Sequence, residues 1–294
     1  VTDGAANMLK AVQSAFGKSK HISCLAHILN LICQRALKLE STSGLVGKVK
    51  KIVTWFKHSV VASDELRRVS DLKLIQDVET RWNSTLLMIE RFLTLCAPIN
   101  DILIRHPSAP PMVSAIELGQ LKEMQTLLQP FLAATNDVSG DRYLTSSIAV
   151  PIAKEIHDNL CSMAPVTNVG LALKSALVSE TGKRLGQCEN VMNLSIATML
   201  DPRFKTMYFR SPDAIAKTIR EIKRLMATTT SPSIPSESSE SDSGSPGPDH
   251  FNQTLFARHT KLVQSSWKKS TPHPDSDIPD QLAIYICALQ PKRT

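Results

Sequence analysis

Three groups of residues have types and spacings that could do chemistry. Asp3 is a carboxylate just ahead of a helical pattern, at what reads as a strand-to-helix turn. In an α/β layer, strand ends open into the crevice where ligands are bound, so an acid there is a candidate metal ligand. As a purely local feature the same Asp reads as a helix N-cap. His21, Cys24 and His27 follow at spacings of three. Imidazole and thiolate are preferred zinc ligands, but a closed site needs four and no CxxC or HxxxH partner appears. The third group is cationic and aromatic. Lys48, Lys50, Lys51 and Lys57 occur with no acidic residue from Gly44 through Ala62, and Arg81 directly precedes Trp82. Unpaired cations on successive helical turns suit a phosphate backbone, or simply a solvated face. An exposed Trp stacks on an unpaired base while its neighbouring Arg holds a phosphate. The alternative is that Trp82 plugs a core between helices.

These residues must be positioned by elements whose periodicity is legible. Ala5, Leu9, Val12 and Phe16 recur at helical spacing, and Gly17 with Lys18 and Lys20 supplies a C-terminal signal. HISCLAH reads as a short buried strand or strand end. Leu29, Ile32, Cys33, Ala36 and Leu37 restore the helical period. The order strand end, helix, strand, helix is that of an α/β layer. Everything after it reads as helix: Gly44 to Val69, a stripe from Leu86 to Leu95 with Thr80 as a candidate N-cap, and two helices around the proline-rich break Pro107, Pro110 and Pro111. Further helices are expected over 146–160, 171–185, 191–199 and 214–226, with Asp201-Pro202 as a stop.

The 294 residues carry 42% hydrophobic content and a net charge of +7. Residues 229–250 hold Glu237, Glu240, Asp242 and Asp249 without Lys or Arg, so the rest of the chain carries +11. A basic body with a detached acidic, Ser/Pro-rich stretch suits a polyanion-binding protein joined by a disordered linker. The six scattered cysteines sit mostly in apolar helical patterns, the usage of a reducing compartment. No Gly-rich phosphate loop, GxSxG or Ser-His-Asp arrangement occurs, which argues against generic hydrolases and small-molecule substrates. No run is long and apolar enough for a transmembrane helix, so no membrane partner is expected.

Several stretches together resemble the RNase H-like catalytic domain of hAT-superfamily transposases and their domesticated BED-finger relatives. They are TDGAANM with ISCLAHILNLICQRAL, DVETRWNSTLLMIERF (Asp77 to Phe92), LQPFLAATNDVSGDRYLTSSIAVP (Leu128 to Pro151) and MLDPRFKTMYF (Met199 to Phe209), in family order. The resemblance implies that Asp3 is the second of three metal-binding carboxylates, with Gly4 replacing the usual Asn. It implies that Cys24 and His27 are a structural Cys-x-x-His pair, and that Arg81 and Trp82 lie beside the active site and manage the DNA end. The other two carboxylates would lie before and after this chain, which reads as a fragment of a longer protein.

The expected fold class is therefore α/β, a partial RNase H-like core with a large all-α insertion, predominantly helical in this fragment. The expected organisation is 1–40 as part of the catalytic core, 41–228 as the helical insertion, 229–250 as linker, and 251–294 as a helical segment leading into a C-terminal dimerisation region. A two-metal site would use Mg²⁺ or Mn²⁺ only if the whole protein keeps all three carboxylates, because one Asp cannot hold two ions. Zinc is not expected. The implied partners are DNA and a second copy of the protein, and the implied location is nuclear. The rival expectation is a non-catalytic DNA-binding regulator or an interaction scaffold on the same fold.

Overall fold

The computed structural model describes residues 1–17, 21–139 and 146–229. The expected helical segment 251–294, and the expected linker beyond Thr229, lie outside the described residues. The helices are α1 (Ala6–Phe16), α2 (Leu25–Leu37), α3 (Glu40–His58), α4 (Val60–Val69), α5 (Trp82–Thr94), α6 (Cys96–Arg105), α7 (Ala115–Val138), α8 (Ala149–Ser162), α9 (Asn168–Leu185), α10 (Met192–Leu200) and α11 (Pro212–Thr229).

The α/β expectation fails. Among the described residues there is no strand and no sheet. The two stretches read as strands meet only at a parallel bridge between Thr2 and Ser23. Two backbone bonds make it: Thr2 N–H donates to the Ile22 carbonyl at 3.1 Å and Cys24 N–H to the Thr2 carbonyl at 2.8 Å. Even a two-stranded ladder is marginal by itself, and among the described residues no further segment pairs with either edge. α1 shows the same lack of support. It has no buried residue; Leu9 and Val12 are half-buried and Phe16 is 71% exposed.

The chain divides into two units, residues 1–139 with 156–185, and residues 140–155 with 186–294. In the first, α2 is the hub. Leu29, Ile32, Cys33 and Ala36 recur at three, one and three residues, so all four fall on one stripe, and all are fully buried. Around α2 pack α3, α5, α7 and α9. Their buried faces carry Val49, Ile52, Val53 and Phe56; Leu86, Met88, Ile89 and Phe92; Leu121, Met124, Leu128 and Phe131; Leu173 and Leu177. At roughly 1.5–3 kcal/mol for each large side chain removed from water, this cluster dominates the unit's stability.

Local chemistry sets the helix ends. The single helix expected over 44–69 is broken at Ser59, whose hydroxyl accepts the Ala62 N–H at 3.2 Å and starts α4. Ser63 Oγ donates to the Phe56 carbonyl at 2.6 Å and ties the corner. α5 starts at Trp82 without Thr80 as its cap: Ser84 Oγ accepts from Val78 N–H at 2.7 Å and donates to the Arg81 carbonyl at 2.6 Å. α7 begins with a capping box, in which Ser114 Oγ accepts from Glu117 N–H and Glu117 Oε2 from Ser114 N–H. The helix then runs unbroken through Pro130. An internal proline costs about 3 kcal/mol. The flanking Leu127, Leu128, Phe131 and Ala134 are at most 1% exposed, and their burial outweighs that cost.

In the second unit, Met199, Phe209, Ala214 and Ile222 form a core with Ile196, Ile215 and Ile219 packed on it. The MLDPRFKTMYF stretch builds this core's surroundings. Phe204 and Tyr208 are fully buried and meet edge-on at 5.6 Å. Asp201 ends α10 and holds Arg203 in a fork, Nε to Oδ1 at 2.9 Å and Nη2 to Oδ2 at 2.7 Å. Burial alone would raise the Asp201 pKa; the bonds from Arg203 and Ser147 outweigh it and leave the carboxyl below its usual value.

Candidate nucleic-acid interface

Asp3 is exposed, and its Oδ1 accepts the Ala5 N–H at 3.1 Å. This is an Asx turn, which shapes the chain's entry into α1. Gly4, the position that departs from the family pattern, has φ +84°, where a side chain would be strained. Cys24 and His27 are half-buried at the start of α2, and His21 Nε2 lies 2.7 Å from the Thr2 hydroxyl. Among the described residues no group of three His, Cys, Asp or Glu is placed to hold a metal ion. The described residues therefore do not fit Mg²⁺, Mn²⁺ or Zn²⁺ by themselves.

The lysines of α3 behave as two pairs. Lys48 and Lys50 have acidic partners that the local sequence did not show. Lys48 Nζ pairs with Glu117 at the start of α7, and Lys50 Nζ lies 3.3 Å from Asp77. The Lys48 bond is the largest influence on Glu117 and draws its carboxyl below the usual range, with the Ser114 amide adding to it. Lys51 and Lys57 are exposed and form no ion pair among the described residues. Arg81 is exposed as well, with its backbone in an antiparallel bridge to Val78.

Trp82 is not where a stacking platform would be. Its indole is 3% exposed and meets Phe131 edge-on at 6.5 Å. Its backbone N–H points at Asn30 Oδ1, 3.4 Å away. Helix α5 turns its first residue inward with Thr85, Leu86 and Ile89, because three- and four-residue spacing places them on one face. The expected stacking of Trp82 on a base needs a face that the fold buries against α7.

Residues to which the sequence reading gave no such role hold the segment between α4 and α5 in place. Arg91 Nη1 donates to the Lys73 carbonyl at 2.7 Å, Gln34 Nε2 to the Thr80 carbonyl at 2.9 Å, and Asp77 pairs with Lys50. This strap is thereby fixed to α2, α3 and α5. A lack of turn signals over 72–78 was the available hint that the segment is held by partners rather than by its own residues.

Comparison with known proteins gives a consistent answer. The family model described as the ZBED1 RNase-like helical domain matches residues 22–124, which spans α2 to α6 and the start of α7. The chain is similar to hAT-transposase-like and BED zinc-finger proteins, the resemblance that its sequence motifs carried. It is similar to the human zinc finger BED domain-containing protein 4, at 26% identity over 272 residues, covering 87% of this chain and 22% of that protein. It is also similar to two maize proteins, the putative AC transposase (30% over 198 residues, 63% of this chain, 24% of the relative) and the putative AC9 transposase (25% over 218 residues, 63% and 26%). The chain thus spans about a quarter of the length of these relatives. No solved structure matches it. Among its described residues no helix is long and apolar enough to cross a membrane.

Proposed function

We propose that this helical body serves a transposon-derived, nuclear protein as a DNA-holding module. The observation that carries it is the set Lys51, Lys57 and Arg81, exposed and without an ion pair among the described residues, on a chain of net charge +7. Lys48 and Lys50 flank that set; Lys48 is held by Glu117 through an exposed contact, whereas Lys50 is tied to the buried side chain of Asp77. An exposed pair such as Lys48–Glu117 is worth at most about 1 kcal/mol, so a phosphate can displace that carboxylate. Phosphate contacts carry no base identity, so binding is expected to show little sequence preference. Pairing into a homo-oligomer through a C-terminal region belongs to the same reading of the whole protein.

Fluorescence anisotropy with a labelled duplex tests this. Affinity is expected to fall by roughly 0.9 log unit per log unit of salt for each phosphate contacted. The triple variant K51Q/K57Q/R81Q is expected to flatten that slope by about 2 to 3 on the same scale. Absence of salt-dependent binding at low ionic strength would leave the interaction-scaffold reading in its place.

The same reading holds that the chain alone does not cleave or join strands. Asp3 has an Asx-turn role, and among the described residues no cluster of three potential ligands is available to a metal ion. Incubation of the pure chain with supercoiled plasmid and Mg²⁺ or Mn²⁺ is expected to leave the plasmid intact. Nicking that Asp3→Ala abolishes would overturn this.

A further inference from the structure

A second basic feature lies beyond the α3 lysines. Where α3 ends, α4 turns back and the strap passes, a cleft of about 220 Å³ is lined by Phe56, Lys57, Ser63, Leu66, Arg67, Leu72, Lys73 and Leu74. Its lining holds three cations and no carboxylate. Its floor is apolar, since Phe56 and Leu66 are 2% and 4% exposed, and Leu72 on its wall is 41% exposed. Among the described residues the one acid paired into the rim is Asp64, 2.8 Å from Arg67, and both side chains of that pair are about half exposed. Lys57 and Lys73 make no side-chain ion pair among the described residues.

The walls are also built before any ligand arrives. The Ser59 and Ser63 hydroxyls tie the α3–α4 corner. Arg91 clamps the carbonyl of Lys73, and the Lys50–Asp77 pair holds the strap a few residues on. A pre-formed recess loses little ordering entropy on binding. Cations at a rim above an apolar floor suit a ligand with a phosphate at one end and a flat, poorly hydrated group at the other.

We propose that this cleft holds one unpaired nucleotide of a single DNA strand, its phosphate on Lys57, Lys73 and Arg67 and its base against Leu66, Leu72 and the edge of Phe56. The proposal rests on the DNA-holding reading and gives it a preference for unpaired over closed duplex DNA. A paired base stays in its stack and brings only its phosphate to the rim.

The test compares a labelled oligothymidylate of about a dozen nucleotides, in the range one such site covers, with a blunt duplex. The unaltered chain is expected to prefer the single strand. K57Q/K73Q is expected to weaken strand binding at least about tenfold and lower its salt slope by about 1.4, two contacts at roughly 0.7 each. K51Q, outside the cleft, is expected to weaken strand and duplex alike. L72N, at an exposed wall position and without a change of charge, is expected to weaken the strand several-fold and the duplex far less. Unchanged thermal melts establish that these variants fold. Thymidine monophosphate is expected to displace the strand, and inorganic phosphate to do so far less well.

Equal loss for K57Q/K73Q on strand and duplex, no larger per charge than for K51Q, overturns the cleft and leaves the DNA-holding reading standing. No salt-dependent binding of either DNA overturns both. Displacement by phosphate as readily as by thymidine monophosphate reduces the cleft to an anion seat and overturns the nucleotide. Binding of free thymidine monophosphate without strand preference overturns the strand as its source.

Discussion

Replacing Trp82 by alanine will unfold the first unit at a temperature on the order of 10 °C lower, a loss of about 3–5 kcal/mol. The indole is 3% exposed and wedged against Phe131, which is itself fully buried. Alanine would leave a cavity between the start of α5 and the middle of α7, in the cluster around α2. Trp82→Phe, which keeps most of the volume, should recover more than half of the loss. Thermal melts by circular dichroism measure both. A Trp82→Ala protein that melts like the parent but loses affinity for splayed DNA ends would restore the stacking role that the sequence suggested. At temperatures where both variants remain folded, DNA affinity should be unchanged.

The second large effect is a coupling between Glu123 and Gly170. Glu123 of α7 accepts the Val166 N–H at 2.8 Å, the Thr167 N–H at 3.2 Å and the Thr167 hydroxyl at 2.5 Å. It therefore caps the start of α9 from a neighbouring helix, doing from a distance what a local N-cap does. Gly170 makes room for it: a Cβ there would sit 2.0 Å from Glu123 Oε2 and 2.8 Å from the Pro165 Cβ. Gly170→Ala must push the carboxylate off its donors. Bonds to a charged group are worth about 1.5–3 kcal/mol each, so the loss is expected near 2–3 kcal/mol despite alanine's better helix propensity. In a Glu123→Ala background the obstruction at Oε2 is gone. There Gly170→Ala should cost little, limited by Pro165, and the double-mutant cycle should show a coupling of about 1–3 kcal/mol. Additive losses would show that Gly170 serves the packing of α9 and not the carboxylate.

The pH dependence follows from the same latch. Burial would raise the Glu123 pKa, but the Thr167 hydroxyl and the Val166 and Thr167 amides outweigh it and hold the carboxyl below its ordinary 4.5. A carboxyl depressed in the folded state contributes its full stability above its unfolded pKa and loses it as pH falls through the folded value. The parent should therefore lose stability below about pH 4.5 more steeply than Glu123→Ala, whose melts should converge with it in acid. Parallel curves at every pH would refute the latch.

The sequence by itself determined most of the helices and the family resemblance. Apolar spacings of three and four placed α10 within a residue of the expected 191–199 and gave the end of α9 at Leu185, because helical periodicity is a local signal read within two or three turns. The motif stretches that carried the resemblance are also those that build the cores: ILNLICQRAL supplies the hub of the first unit, and DPRFKTMYF the buried rings of the second. What tertiary structure alone decided lies across long separations. Lys48 finds Glu117 and Lys50 finds Asp77, so a run without local acids is half neutralised by remote ones. Trp82 is buried because α7 runs beside it, and Pro130 is tolerated because its neighbours are packed. The strand reading of the first forty residues failed for the same reason in reverse. A strand needs partners on its edges, and its own residues, however apolar, do not specify whether they arrive.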